Sequence, residues 1–344
     1  MAPMTRGQSP AGIPGPNVAA YYRRRAEHGV GLIITEGTGI AHPAALGMAS
    51  VPFFHGTEPL GGWAAVAAAV HEAGGRIMPQ LWHVGMARQL GSLPNPEALP
   101  VGPSGLTAAG VRVVEPLTER EIGEIIDAYG RGASDAARLG FDGIELHAAH
   151  GYLIDQFFWD VTNRRTDQYG VDLAGRTRFA VEIVRACRRA VGSAFPIFLR
   201  FSQWKIGQYE ARLAATPAEL ARFLEPLVDA GVDVFHCSTR RFFDPEFDGS
   251  DLNLAGWTKK LSGKPVVTVG SIGLDTDFMS GFAERRGAQN VGIDRLIEMV
   301  ARGDVDLVAV GRALLVDPAW ADKIHEGRLS ELIPYAPEAL TTLS

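Results

Sequence analysis

One unit recurs along this chain: an amphipathic segment runs up to a Gly, and a short apolar run follows at once. It occurs at His28-Gly29 before Leu32-Ile33-Ile34, at Ala73-Gly74 before Ile77-Met78, and at Leu139-Gly140 before Gly143-Ile144-Glu145-Leu146. It returns at Val191-Gly192 before Ile197-Phe198-Leu199, at Ala230-Gly231 before Val232–Phe235, and at Arg302-Gly303 before Leu307–Val310. A Gly just past a helix end adopts the left-handed cap without steric cost. The apolar runs do not alternate, as expected of strands buried on both faces. Val266-Val267-Thr268-Val269 adds a strand after Pro265, and Met1–Thr5 forms the end of another, which makes eight. Helix starts agree: Thr118-Glu119-Arg120-Glu121 is a capping box, Thr216-Pro217-Ala218-Glu219 joins an N-cap to a first-turn Pro, and Asp317-Pro318 opens the last helix in a similar way. Strand–helix alternation implies a parallel sheet, and eight units favour a closed (β/α)8 TIM barrel over an open one.

Two connections break the rhythm, at about residues 83–116 and 148–174. Long loops at strand C-termini usually carry function. No linker, repeat array or low-complexity tract interrupts the chain, so residues 1–344 are expected to form a single domain. No G-x-G-x-x-G opens a helix after a strand, which argues against a dinucleotide-binding open sheet. A net charge of −6 offers nothing to nucleic acid or to an anionic membrane. The two cysteines, Cys187 and Cys237, are too few for a disulfide scaffold or an iron–sulfur cluster. Pro3, Pro10, Pro14 and Pro16 break any signal-peptide core, and the apolar stretch Trp63–Val70 is too short to span a bilayer. A cytoplasmic protein is expected.

Barrel enzymes gather their chemistry at the strand C-termini. Those ends read Thr5, Glu36-Gly37-Thr38, Gln80-Leu81-Trp82, His147, Arg200, Ser238, Gly270-Ser271 and Gly311-Arg312. No Lys stands there for a Schiff base, and no carboxylate pair for a metal hydrolase. His147 and His150 lack the glutamate and spacing of a zinc protease motif, so no metal is expected. Gly270, Ser271, Gly311 and Arg312 follow the seventh and eighth strands, where barrels often bind phosphate through backbone N–H groups and a cation. The Arg23-Arg24-Arg25 run is read as a solvated helix face. Arg240 and Arg241 follow the sixth strand and could meet a nicotinamide cofactor's phosphate, but a solvent-exposed loop is the preferred reading; His236 is read as a satisfied interior histidine.

The chain resembles the old yellow enzyme family of flavin oxidoreductases. The matching segments are Met1–Arg6, Gly31–Gly37, Pro79–His83, Phe141–Tyr152, Asn163–Gly170, Leu199–Ser202 and Gly311–Pro318, in the family's order. His147-Ala148-Ala149-His150-Gly151-Tyr152 followed by Asn163-Arg164-Arg165-Thr166-Asp167-Gln168-Tyr169-Gly170 is the most specific part. The resemblance implies an FMN site with Thr5 at flavin O4, Pro3, Met4 and Gly37 along the ring, and Gln80 at the pyrimidine edge. It places Arg200 near N1 and O2, where negative charge gathers on reduction. It makes His147 and His150 a clamp on the substrate's carbonyl or nitro oxygen, and Tyr152 the proton donor. Trp82 becomes a pocket wall, although a core position is equally open to it. The implied activity is reduction of α,β-unsaturated small molecules at the expense of NADPH or NADH, in two half-reactions sharing one pocket.

Two features complicate that reading. Family members usually carry an N-terminal hairpin and most of strand one, whereas Met1 falls near that strand's end, so unpaired sheet edges and an open core are expected. The multidomain branch of the family needs a Cys cluster this chain lacks. The remaining alternatives are a flavin-binding barrel with little turnover and a non-redox phosphate-binding barrel such as a lyase. The natural substrate, the nicotinamide preference and the state of any homo-oligomer are not readable.

Overall fold

All six glycines at the expected helix-to-strand junctions take positive φ: Gly29, Gly74, Gly140, Gly192, Gly231 and Gly303 lie between 74° and 110°. The computed structural model describes residues 1–278 and 286–344. The strands that follow these turns are β1 (Leu32–Gly39), β2 (Arg76–Trp82), β3 (Ile144–His150), β4 (Ile197–Lys205), β5 (Val234–Ser238), β6 (Val266–Val269) and β7 (Leu307–Val308). They form one parallel sheet in chain order, each bonded to the next. Helix α1 (Pro16–Glu27) precedes β1; α2 (Thr57–Glu72), α3 (Glu119–Arg138), α4 (Leu153–Phe158), α5 (Leu173–Val191), α6 (Pro217–Ala230), α7 (Leu254–Ser262) and α8 (Asp294–Ala301) lie between the strands, with α9 (Arg312–Val316) and α10 (Trp320–His325) after β7.

Met1 and Ala2 take the place of an eighth strand. The Met1 amine donates to Leu32 O at 2.6 Å, Ile34 N–H donates to Met1 O at 3.1 Å, and Ala2 N–H donates to Val310 O at 2.9 Å. Met1 and Ala2 thus bridge the end of the β7 segment to β1. Inside the ring, Ala2, Ile34, Met78, Phe198, Val234, Val267 and Ala309 make a separate apolar layer, the packed floor of a barrel. Beside Met1 lies a cavity of about 680 Å³ lined by Leu32, Val267, Leu296, Leu307 and Trp320.

Both helix-start signals hold at α3 and α6. Thr118 accepts from Glu121 N–H while the Glu121 carboxylate accepts from Thr118 N–H, the reciprocal box, and Thr216 caps α6 ahead of Pro217. Asp317 does not cap the last helix. Its carboxylate receives Lys323 Nζ at 2.8 Å, and α10 starts at Trp320. The Arg23–Arg25 expectation also needs correction. Arg23 is exposed, but Arg25 is completely buried; its guanidinium donates to Leu314 O at 2.8 Å and to Tyr21 O at 2.8 Å. A buried guanidinium is tolerated where carbonyls take up its donors.

The Asn163–Gly170 motif does its work away from the barrel mouth. Asn163 Nδ2 donates to Phe157 O and Tyr169 O, both at 2.7 Å, and Arg165 Nη1 reaches Pro103 O and Leu117 O at 2.8 and 2.5 Å. The Asn163 bonds brace the second long loop internally, and the Arg165 bonds tie it to the first.

Candidate active site

A cavity of about 560 Å³ opens at the C-terminal ends of the strands. Every residue assigned to the site from the sequence lines it: Pro3, Met4, Thr5, Gly37, Gln80, Trp82, His147, His150, Tyr152, Arg200, Gly270, Ser271, Gly311 and Arg312. Strand pairing explains part of this. Gly37 stands beside Gln80, and His147 beside Arg200, in the parallel ladder.

Arg200 brings an incompletely satisfied buried charge to the pocket wall. It is 7% exposed, its Nε is buried with no partner, and Nη2 makes a hydrogen bond to Ser238 Oγ at 3.3 Å. No carboxylate lies within ion-pair distance of it among the described residues, so a salt bridge closing the barrel top is ruled out as its role. Burial lowers its pKa, and the Glu145 charge opposes the shift. A cation buried with spare donors calls for an acceptor from a ligand.

The aromatic wall is built in pairs. His147 stacks on Trp82 with ring centres 5.9 Å apart, and His150 stacks on Trp204 at 4.6 Å. The two imidazoles meet edge to face at 5.2 Å, and the Tyr152 ring stands edge-on to His147 at 5.0 Å and to Trp82 at 4.9 Å. Trp82 is therefore pocket wall and core at once; it is 7% exposed. Burial, with Arg200 nearby, drives both imidazoles well below the ordinary histidine pKa. Each is neutral near pH 7 and carries one N–H donor. His147 Nδ1 has no protein partner, whereas His150 Nε2 pairs with Ser238 Oγ at 2.8 Å. Burial pushes the Tyr152 phenol up to about 12, which keeps its proton in place.

His150 has φ of 66°, a strained value for a residue with a side chain. Its surroundings hold it there. His150 N–H donates to Ser202 Oγ at 3.0 Å and Gly151 N–H to Asp155 Oδ2 at 2.6 Å. Asp155 is in turn paired with the buried Lys205 at 2.7 Å. Lys205 is thus committed to a carboxylate.

Glycines shape the other walls. A Cβ on Gly37 would lie 2.6 Å from the Trp82 indole, and one on Gly270, where φ is 148°, would lie 2.7 Å from Thr239 O. After β7, Gly311 precedes α9, and Leu314 N–H in its first turn donates to Gly311 O at 2.9 Å. Arg312 lies over the Tyr335 ring and donates to Thr276 O, and Ser271 Oγ donates to Arg240 O at 2.9 Å. The pocket also contains Trp204 and Ile206, to which the sequence reading gave no role, and Arg240, for which a solvent-exposed loop was preferred over contact with a nicotinamide cofactor's phosphate. Trp204 is the penultimate residue of β4, four residues after Arg200. Arg240 is not free in solvent: it pairs with Asp277 at 3.2 Å and lies over Tyr209. His236 is partly satisfied, with Nδ1 on Glu145 at 2.5 Å and Nε2 unpaired. Among the described residues no group of His, Cys, Asp or Glu could hold a metal ion.

The chain matches the NADH:flavin oxidoreductase / NADH oxidase family over residues 1–331. It is 36% identical over 320 residues to an NADH oxidase of Thermoanaerobacter brockii, covering 91% of this chain and 46% of that protein. It is 42% identical over 205 residues to 12-oxophytodienoate reductase 7 of Oryza sativa subsp. japonica, covering 56% of this chain and 52% of that one. The chain thus spans about half the length of these two relatives. Morphinone reductase in complex with tetrahydroNAD superposes with a TM-score of 0.81 at 28% identity, over 99% of this chain and 89% of that one. The old yellow enzyme homologue from Zymomonas mobilis gives 0.81 at 26% identity, over 100% and 92%. With these matches and the half-satisfied Arg200 at a barrel mouth, the chain belongs to the NADH:flavin oxidoreductase / NADH oxidase family, the old yellow enzyme family.

Proposed function

We propose that this chain is a single-domain, FMN-dependent reductase of activated C=C bonds that draws its electrons from NADPH or NADH. The observation that carries the reading is Arg200, a buried guanidinium with an unpaired Nε in the cavity wall that also presents His147, His150 and Tyr152. FMN, when bound, supplies a ring that takes hydride from the nicotinamide and passes it to the alkene. Arg200 would face the pole of that ring where negative charge collects, and a fixed cation there favours the reduced cofactor. Gln80 would meet its pyrimidine edge, with Pro3, Met4, Thr5 and Gly37 along the ring. Gly270, Ser271, Gly311 and Arg312 would hold the phosphate.

The imidazoles of His147 and His150 would donate to the carbonyl or nitro oxygen of the substrate. That polarises the double bond and makes its β-carbon electrophilic. Tyr152, protonated far above neutral pH, would deliver the proton to the α-carbon. Trp82 and Trp204 would exclude water on either side. Enones, maleimides, nitroalkenes and nitrate esters all suit this clamp. The same cavity would serve both half-reactions, so no further dinucleotide domain is required. A cytoplasmic location fits a chain in which no described helix is long and apolar enough to cross a membrane.

A Schiff-base lyase is disfavoured because, among the described residues, no Lys lines the cavity. The test is the visible spectrum of protein mixed with FMN, desalted and titrated anaerobically with NADPH. A retained flavin band that bleaches and then returns with cyclohexenone is expected. A colourless protein would refute the reading.

A further inference from the structure

Beneath the pocket floor three inward-facing side chains from three strands form a buried chain. Gln80 on β2 is 2% exposed, and Glu145 on β3 and His236 on β5 are fully buried. Gln80 Nε2 donates to Glu145 Oε1 at 2.7 Å, and His236 Nδ1 pairs with Glu145 Oε2 at 2.5 Å. Both carboxylate oxygens are thereby occupied. The flavin reading needs Gln80, but it gives no role to Glu145 or His236.

The chemistry of a carboxylate makes this arrangement directional. An ionised Glu accepts and never donates, so only the NH2 end of a neighbouring amide can face it. Burial would raise the Glu145 pKa, but His236, Arg200 and Gln80 together outweigh that and hold it below the ordinary value, so the group is ionised. The carbonyl end of Gln80 must then point the other way. It does: Oε1 lies 3.3 Å from where a Cβ on Gly37 would sit, on the cavity side, and receives no hydrogen bond from the described residues. A Gln free to flip would offer a donor or an acceptor to the cavity with similar ease. Held by Glu145, it offers an acceptor.

We propose that Glu145, steadied by His236, is a positioning residue that fixes the Gln80 amide with its oxygen toward the cavity. The site thereby selects a ring edge that presents an N–H there, such as the imide N3–H of a flavin. The proposal rests on the flavin reading above. It differs from that reading in assigning the selection to residues outside the cavity lining. His236 contributes by occupying Oε2, so that the carboxylate keeps Oε1 for Gln80.

The test compares the affinities of flavin-free protein for FMN and for 3-methyl-FMN, which lacks the N–H. Wild type is expected to prefer FMN by about tenfold or more, a hydrogen bond plus the crowding of the methyl group. In Glu145→Gln the Gln80 amide can turn, and the preference is expected to fall by about threefold or more. The exchange Q80E/E145Q puts the acceptor back on the cavity side with a donor beneath it, and should restore the preference. A general loss of packing would weaken both flavins equally and leave the ratio unmoved. An unchanged ratio in Glu145→Gln, or no recovery in the exchange, overturns the proposal. A wild-type chain that binds neither flavin overturns the flavin reading itself.

Discussion

Tyr152 shows how burial fits a side chain to a task. Packed edge-on against Trp82 and His147, it has its phenol raised to about 12, so it remains a proton donor through the whole neutral and mildly alkaline range. A protein-bound acid with that value gives no alkaline limb near pH 10, where an ordinary phenol would. Tyr152→Phe should slow the alkene half-reaction by ~10²–10⁴-fold while leaving reduction by NADPH within twofold, as read by stopped-flow flavin absorbance. Equal loss in both half-reactions would mean that Tyr152 shapes the pocket instead. His147 makes the complementary case. It is buried and neutral, with Nδ1 unpartnered, so its value is as a donor to a ligand. His147→Ala should retain FMN but lose phenol binding and enone turnover together; enone turnover at the wild-type rate would remove it from the mechanism. At this scale the sequence was most informative where a residue type is costly. An Arg at an apolar strand end and a His-x-x-His run after a strand demanded a reason. Trp204 carried no such mark, because an aromatic at a strand end is ordinary core composition.

At the scale of elements, what was legible is what local chemistry decides. Positive-φ glycines and capping hydroxyls act within a few residues, and they located helix ends and strand starts. Long-range partners were not legible. Arg25 looked solvated because it sits in a run of three arginines, and only the fold supplies the carbonyls of Leu314 and Leu315 that bury it. Glu36 was visible as a strand-end residue, but its work was not. Its Oε2 accepts from Arg6 N–H at 2.8 Å and Gly7 N–H at 2.9 Å, which ties the N-terminal segment carrying Pro3, Met4 and Thr5 to the end of β1. Burial raises its pKa from 4.5 to about 7, against those hydrogen bonds. The folded value lies above the unfolded one. Its contribution to stability is therefore fully present below pH 4.5 and is lost as pH rises through 7, a difference of about 3 kcal/mol. Glu36→Gln keeps an acceptor without the titration. Urea unfolding should find it more stable than wild type at pH 8 and no more stable at pH 5. A variant equally destabilised at both would show that the buried charge itself holds the segment.

The whole molecule depends on how its ring is closed. Eight units were expected, and seven strands plus the Met1–Ala2 pair supply them. Their neighbour β7 is only Leu307–Val308, and a 680 Å³ apolar cavity lies alongside. Closure therefore rests on few bonds. Without residues 1 and 2, Leu32 O, Ile34 N–H and Val310 O would lose their partners, and Ala2 would leave a gap in the barrel floor. An unpaired backbone group costs ~1–3 kcal/mol when buried, so the three together are comparable with the ~5–15 kcal/mol that holds a typical domain. Water entering beside the cavity would lower that sum but could not restore the parallel register. Removing Met1 and Ala2 should lower the thermal midpoint by ~6 °C or more and weaken FMN binding with it, because Pro3, Met4 and Thr5 are positioned by the same segment. A midpoint within about 2 °C of the intact chain, with FMN affinity unchanged, would show that the β7–β1 seam is held by the surrounding helices and that these two residues only fill space.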